Sequence, residues 1–130
     1  MGYMRHHAII VTNFTEKGIE KAHKKALQVF SMEDSMSKMA PRVSEVIASP
    51  INGYWSFLIA PDGSKEGWAD SDKGDAQREK FIAWMREERL KDREYYAWLS
   101  VQYGDDEGET KIEDDSDTHK REPNVNDIDA

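Results

Sequence analysis

Three observations predict an α+β domain for this chain of 130 residues. Four short stretches, Arg5 to Thr12, Val43 to Ile47, Tyr54 to Ala60 and Tyr95 to Tyr103, alternate or run in β-branched and aromatic residues and read as strands. Two longer stretches repeat apolar residues at helical spacing. Turn chemistry separates the stretches, and their order is β-α-β-β-α-β, the split βαβ or ferredoxin-like arrangement. In that arrangement two helices cover one face of a four-stranded antiparallel sheet.

The elements follow in chain order. After the first strand, Asn13 or Thr15 is placed to cap a helix with Glu16 in its first turn. Ile19, Ala22, Ala26, Val29 and Phe30 make its apolar stripe, opposite Lys17, Glu20, Lys21, Lys24, Lys25 and Gln28. Between 31 and 42, Met32, Met36 and Met39 recur at i, i+4 and i+7 before Pro41. This segment reads as an apolar connector or as a methionine-lined surface. Ser49-Pro50-Ile51-Asn52-Gly53 joins the second and third strands as a hairpin, since proline presets φ and Asn-Gly accepts positive φ. A loop from Pro61 to Gly74 leads into the second helix, capped by Ser71 or Asp72 and running to about Lys91 with Phe81, Ile82, Trp84 and Met85 inward. Period-two alternation puts Ile9, Val11, Trp55, Phe57, Ile59, Leu99, Val101 and Tyr103 on the helix-covered face. It puts His6, Ala8, Ile10, Tyr54, Ser56, Leu58, Trp98, Ser100 and Gln102 on the other.

The net charge of −8 is confined to one end. From Asp105 onward eleven acidic residues face three basic ones, so the first 104 residues balance at fifteen of each sign. All thirteen aromatic residues also lie before position 104. Residues 1–104 are therefore the predicted domain, and 105–130 an acidic C-terminal tail with too few apolar groups to offset the entropy of ordering. A charge-balanced body argues against a nucleic-acid partner, which calls for a basic excess. The lack of cysteine excludes disulfides, thiolate metal sites and cysteine nucleophiles. The short apolar run in MGYMRHHAIIVT is too brief for a signal-peptide core or a membrane span, which predicts a soluble cytoplasmic protein with no membrane partner.

Four features are candidate sites. His6, Tyr54 and Trp98 on neighbouring strands would form an aromatic platform on the uncovered face, suited to a second copy, another protein or a planar ligand. In the loop from Asp62 to Asp75, Lys65 and Trp68 would recognise a partner, or Lys65, Ser64 and the helix start would hold an anion. The glycine spacing does not match a phosphate loop, and Asp70 to Asp75 does not match a calcium loop, so capping explains those residues. His6 and His7 point to opposite faces of a strand and cannot share a metal. No local nucleophile or orienting group marks His7 as a general base. The acidic tail solubilises the chain, mimics a nucleic-acid backbone, or lies on the lysine stripe of the first helix. No cofactor is predicted.

RHHAIIVT, NGYWSFLIAPDGSKEGWADSDKGD and WLSVQYGDDEG together resemble a group of small uncharacterised proteins encoded by tailed bacteriophages and prophages, over roughly Met4 to Gly108. The resemblance implies an accessory viral protein in the bacterial cytoplasm that binds a host or defence component. It supplies no catalytic residues. The expected function is non-enzymatic binding of a host protein, or pairing as a homodimer, through Lys65, Trp68, His6, Tyr54 and Trp98. The alternative is a module that sequesters a small anionic metabolite or signalling nucleotide.

Overall fold

The computed structural model describes residues 4–31, 42–91, 94–106 and 108–117. Its centre is strand β1 (His6–Asn13), where Ile9 and Val11 are fully buried. Helix α1 (Glu16–Val29) follows at once, because the Thr15 hydroxyl accepts the Gly18 N–H at 3.0 Å and Asn13 Oδ1 accepts the Thr15 N–H at 2.9 Å. Strands β2 (Ile47–Ala48) and β3 (Trp55–Ile59) flank a turn in which Asn52 and Gly53 both hold positive φ, as the Asn-Gly pair predicts. Helix α2 (Ala69–Lys91) and strands β4 (Ala97–Tyr103) and β5 (Lys111–Asp115) complete the chain order.

The sheet runs β2-β3-β1-β4-β5, and every neighbouring pair is antiparallel. Both helices lie on one face. Ile19, Ala22, Ala26 and Phe30 from α1 and Phe81, Ile82 and Met85 from α2 close over Ile9, Val11, Phe57, Ile59 and Trp98. Each fully buried large side chain contributes about 1.5–3 kcal/mol of transfer free energy. The hydroxyl of buried Tyr96 donates to the Gly18 carbonyl at 3.0 Å, which ties the entry of β4 to the first turn of α1. Lys21 of α1 forms an ion pair with Glu88 of α2, so one member of the lysine stripe serves helix–helix contact.

The structure departs from the sequence reading in three places. Five strands stand where four are expected, and the fifth comes from the segment assigned to an acidic tail. Its carboxylates find cations: Asp105 accepts from Arg5, Glu113 meets His7, and Asp114 meets Arg86. Pairing of this kind offsets ordering without apolar burial, which composition alone does not register. The second strand is reduced to Ile47–Ala48, with an isolated bridge from Val43 to Ile59. There the Ser44 hydroxyl, not a backbone carbonyl, accepts the Leu58 N–H at 2.8 Å.

Strand β4 faces the opposite way from the expectation. Val11 pairs with Trp98, Ile9 with Ser100 and His7 with Gln102, so these three β4 residues lie under the helices and Leu99, Val101 and Tyr103 lie on the bare face. YYAWLSVQY carries apolar residues at both parities, so alternation could not choose between the faces. Trp98 decides it: 3% exposed, it fills the space below Arg86 and Arg89, whose guanidinium carbons stand 5.6 and 5.5 Å from its ring centroid. The methionine segment, and the tail beyond residue 117, lie outside the described residues.

Gly104, where the chain leaves β4, holds φ +68°, and a Cβ there would come within 2.5 Å of His6 Cδ2. Gly104→Ala is expected to destabilise the domain by about 1–3 kcal/mol, read as a fall in the urea midpoint at unchanged slope.

Candidate functional site

Helix α2 is buried along two flanks. One carries Phe81 and Met85 into the core with α1. The other carries Asp75, Arg78, Ile82 and Arg86, at i, i+3, i+7 and i+11, over the β4–β5 side of the sheet. Opposite this second flank stand His7 of β1, Ser100 and Gln102 of β4, and Lys111, Glu113 and Asp114 of β5. Arg5 and Glu66 stand at one end, and the whole borders a half-open cavity of about 510 Å³ in which Ile82 is the sole apolar lining group among the described residues. That volume suits a small molecule.

His7 is the organising group. It is 9% exposed, and both ring nitrogens are engaged: Nδ1 lies 2.8 Å from Glu113 Oε1 and Nε2 lies 3.2 Å from Glu66 Oε2. The hydrogen bond to Glu113 raises the imidazole above its ordinary 6.5, against the opposing effects of burial and of Arg78. Burial pushes the Glu113 carboxyl up, but the hydrogen bond and charge of His7, with Arg78 and Lys111, outweigh it and hold Glu113 below its ordinary value. His7 thus bridges two carboxylates, and Glu66 is fixed in turn by the Ser71 hydroxyl, which donates to it at 3.0 Å.

The remaining charges are paired around it. Arg5 donates from Nε and Nη2 to Asp105 Oδ2 at 3.1 and 2.9 Å. Arg86 Nη2 donates to Asp114 Oδ2 at 2.6 Å. Arg78, 7% exposed, donates to Asp75, whose carboxyl is raised by burial although Arg78 opposes the shift. Gln102, 1% exposed, presents an Nε2 that hydrogen-bonds to no protein group, and Arg86 Nε is in the same state. Buried polar groups left open in this way are costly and mark a place where a partner atom fits.

The residues singled out from sequence are dispersed. His6 pairs in register with Tyr103, its ring 5.5 Å away, at one end of β1. Tyr54, 44% exposed, precedes Trp55 at the other end, roughly 23 Å away along the strand. Trp98 is on the opposite face, so the three form no platform. Lys65 bridges to Met4 through the backbone, and its side chain is exposed, as is Trp68 at 46%. Ser64 is held by Asp62, which accepts from its N–H at 2.9 Å and its hydroxyl at 2.6 Å, so a carboxylate stands beside Ser64 next to Lys65. The loop does reach the cavity, through Glu66.

Sequence reasoning missed His7, Arg78, Gln102 and Glu113 as a group because they are up to 106 residues apart. One signal was present: polar Ser100 and Gln102 alternate with apolar residues in a strand otherwise suited to burial. Comparison with protein-family models, curated proteins and solved structures yields no match, so the chemistry rests on the chain's own residues. Among the described residues no cluster of three His, Asp or Glu is placed to hold a metal, and no helix is long and apolar enough to cross a membrane.

Proposed function

We infer that the chain is a non-enzymatic binding domain that takes a small polar ligand into the cavity beneath α2. The observation that carries this reading is a 510 Å³ cavity walled by ionised side chains of both signs inside a domain of this size. Half-buried charges cost several kcal/mol each unless paired, and a protein built only for stability would fill the space with apolar groups. The lining sets Arg5, Arg78, Arg86, Lys111 and His7 against Glu66, Asp75, Glu79, Glu113 and Asp114. Such a wall favours a ligand with both donors and acceptors, such as an anionic group carried beside an amine or amide. His7 favours binding over turnover, since carboxylates engage both of its ring nitrogens. The frame we take to be ferredoxin-like with an added edge strand, a reading supported by the β2-β3-β1-β4 order and the helices on one face.

A second reading follows from the resemblance to phage proteins: a phage-encoded factor in the bacterial cytoplasm that engages a host or defence protein. The loop favours it, because solvent-facing Trp68 beside Lys65 has the composition of a protein-binding anchor. Native mass spectra of the full chain, purified gently from bacterial lysate, separate the two. The expected result is an adduct on the order of a few hundred daltons, released on denaturation and absent from a folded Arg78→Leu variant. An adduct that survives Arg78→Leu overturns the cavity as its site. A protein-sized adduct alone supports the second reading.

A further inference from the structure

The floor of the cavity is one row across the sheet. His7 of β1 pairs with Gln102 of β4, and Gln102 pairs with Lys111 of β5, so the three side chains stand side by side beneath α2. The next row on this face holds Ser100 and Asp114. The register shifts between Ser100 and Val101 and leaves Glu113 as an extra residue of β5, which brings Lys111, Glu113 and Asp114 all to the cavity side. Within this frame the polar groups left open are of one kind. Gln102 Nε2 and Arg86 Nε, on residues that line the cavity, are buried and hydrogen-bond to no group among the described residues. Both are N–H donors, so each calls for an acceptor. The lining has no positive excess to go with them. Arg5, Arg78, Arg86 and Lys111 are four cations against the five carboxylates of Glu66, Asp75, Glu79, Glu113 and Asp114, and the sum reaches zero only with His7 charged.

We propose that the cavity takes a small zwitterion of the free amino acid class, with its carboxylate seated on Gln102 Nε2. The proposal rests on the reading of the cavity as a ligand site and adds the ligand's chemistry and orientation to it. Gln102 is 1% exposed and lies between His7 and Lys111 in its row, so a carboxylate there meets an open donor flanked by nitrogen-bearing side chains. Arg86 Nε, one row along at Ser100, takes a further acceptor of the same molecule. The ammonium finds its partner among the lining carboxylates, which outnumber the permanent cations. Charge separates this class from phosphates and nucleotides. A phosphate monoester brings about two negative charges into a lining without positive excess, and burying them unbalanced is costly. A zwitterion adds no net charge. The near absence of apolar lining, Ile82 apart among the described residues, favours a ligand that is polar throughout.

Thermal melting of the full chain with each of the common amino acids, with inorganic phosphate and with adenosine monophosphate tests the class. At least one amino acid is expected to raise the melting temperature in proportion to the logarithm of its concentration, and phosphate and adenosine monophosphate are expected to leave it unchanged. Calorimetric titration of that amino acid into Gln102→Met is expected to show an affinity at least about tenfold weaker. The free variant should melt no lower than the parent, because the substitution removes a buried donor that has no partner. Should Gln102→Met fail to fold, Gln102→Glu keeps the shape, sets an acceptor against the carboxylate and is expected to weaken binding in the same way. Stabilisation by phosphate or adenosine monophosphate and by no amino acid overturns the zwitterion and leaves the cavity standing as a ligand site. An amino acid that binds parent and variant alike overturns the seat at Gln102. No shift with any of these probes overturns the proposal. The mass adduct that depends on Arg78 then decides whether the ligand reading falls with it, being present if the cavity holds a different molecule and absent if it holds none.

Discussion

Phe81→Ala is expected to remove about 3–5 kcal/mol of stability, a large share of what a domain of this size possesses. Phe81 is fully buried and touches three other rings. Its centroid lies 5.8 Å from Phe30 of the α1 terminus, 6.4 Å from Phe57 of β3 and 6.1 Å from Trp84 of its own helix. These rings come from three separate elements, so the vacated space cannot close by a shift of one of them, and both the transfer and the cavity contributions are lost. Urea denaturation should show a lower midpoint at an unchanged slope. Leu90→Ala is the control: at 87% exposure it should stay within about 0.5 kcal/mol of the parent. Equal effects from the two substitutions would refute this description of the core.

His7→Leu is expected to cost on the order of 2–3 kcal/mol, because it leaves Glu66 and Glu113 facing one another without the cation between them. The dependence on pH carries more information than the loss itself. The folded His7 titrates above its ordinary 6.5, so its contribution is complete below pH 6.5 and is lost as pH rises through the folded value. Glu113 behaves in the opposite sense. Its folded carboxyl titrates below the ordinary 4.5, so its contribution is present above pH 4.5 and is lost as pH falls through the depressed value. The parent chain should therefore decline in stability above pH 6.5. In His7→Leu that alkaline decline should vanish, and acidification should become stabilising as the facing carboxylates take up protons. Urea titrations from about pH 3 to about pH 9 measure both limbs. Parallel curves for parent and variant above pH 6.5 would show that the bridge across β1, β5 and the loop does not hold.

The same bridge explains why the start of the acidic segment belongs to the sheet. Strand β5 has one aliphatic side chain, Ile112, and that residue is 62% exposed. Apolar burial does not hold β5. Its ladder to β4, the His7–Glu113 and Arg86–Asp114 pairs, and Ser116, whose Oγ accepts the Trp98 N–H at 3.2 Å, hold it. A reading weighted by hydropathy assigns such a stretch to solvent. Each of its anchoring cations lies at least 28 residues from its partner along the chain, so local sequence carries no trace of the pairing.

The sequence by itself determined the order of the first six elements, a cap at Asn13 or Thr15, the Asn-Gly turn and the apolar stripes of both helices. Those features arise from interactions within a few residues, where side-chain spacing and backbone preference act directly. Only the tertiary structure decided which face β4 turns inward, that a fifth strand extends the sheet, and that His7, Arg78, Gln102 and Glu113 share one cavity. Strand parity is symmetric when apolar residues occupy both faces, as in YYAWLSVQY, and the choice falls to the volume of Trp98 beneath α2. Ion pairs between distant positions form only after the sheet register brings them within about 3–4 Å, and that register is a property of the assembled fold.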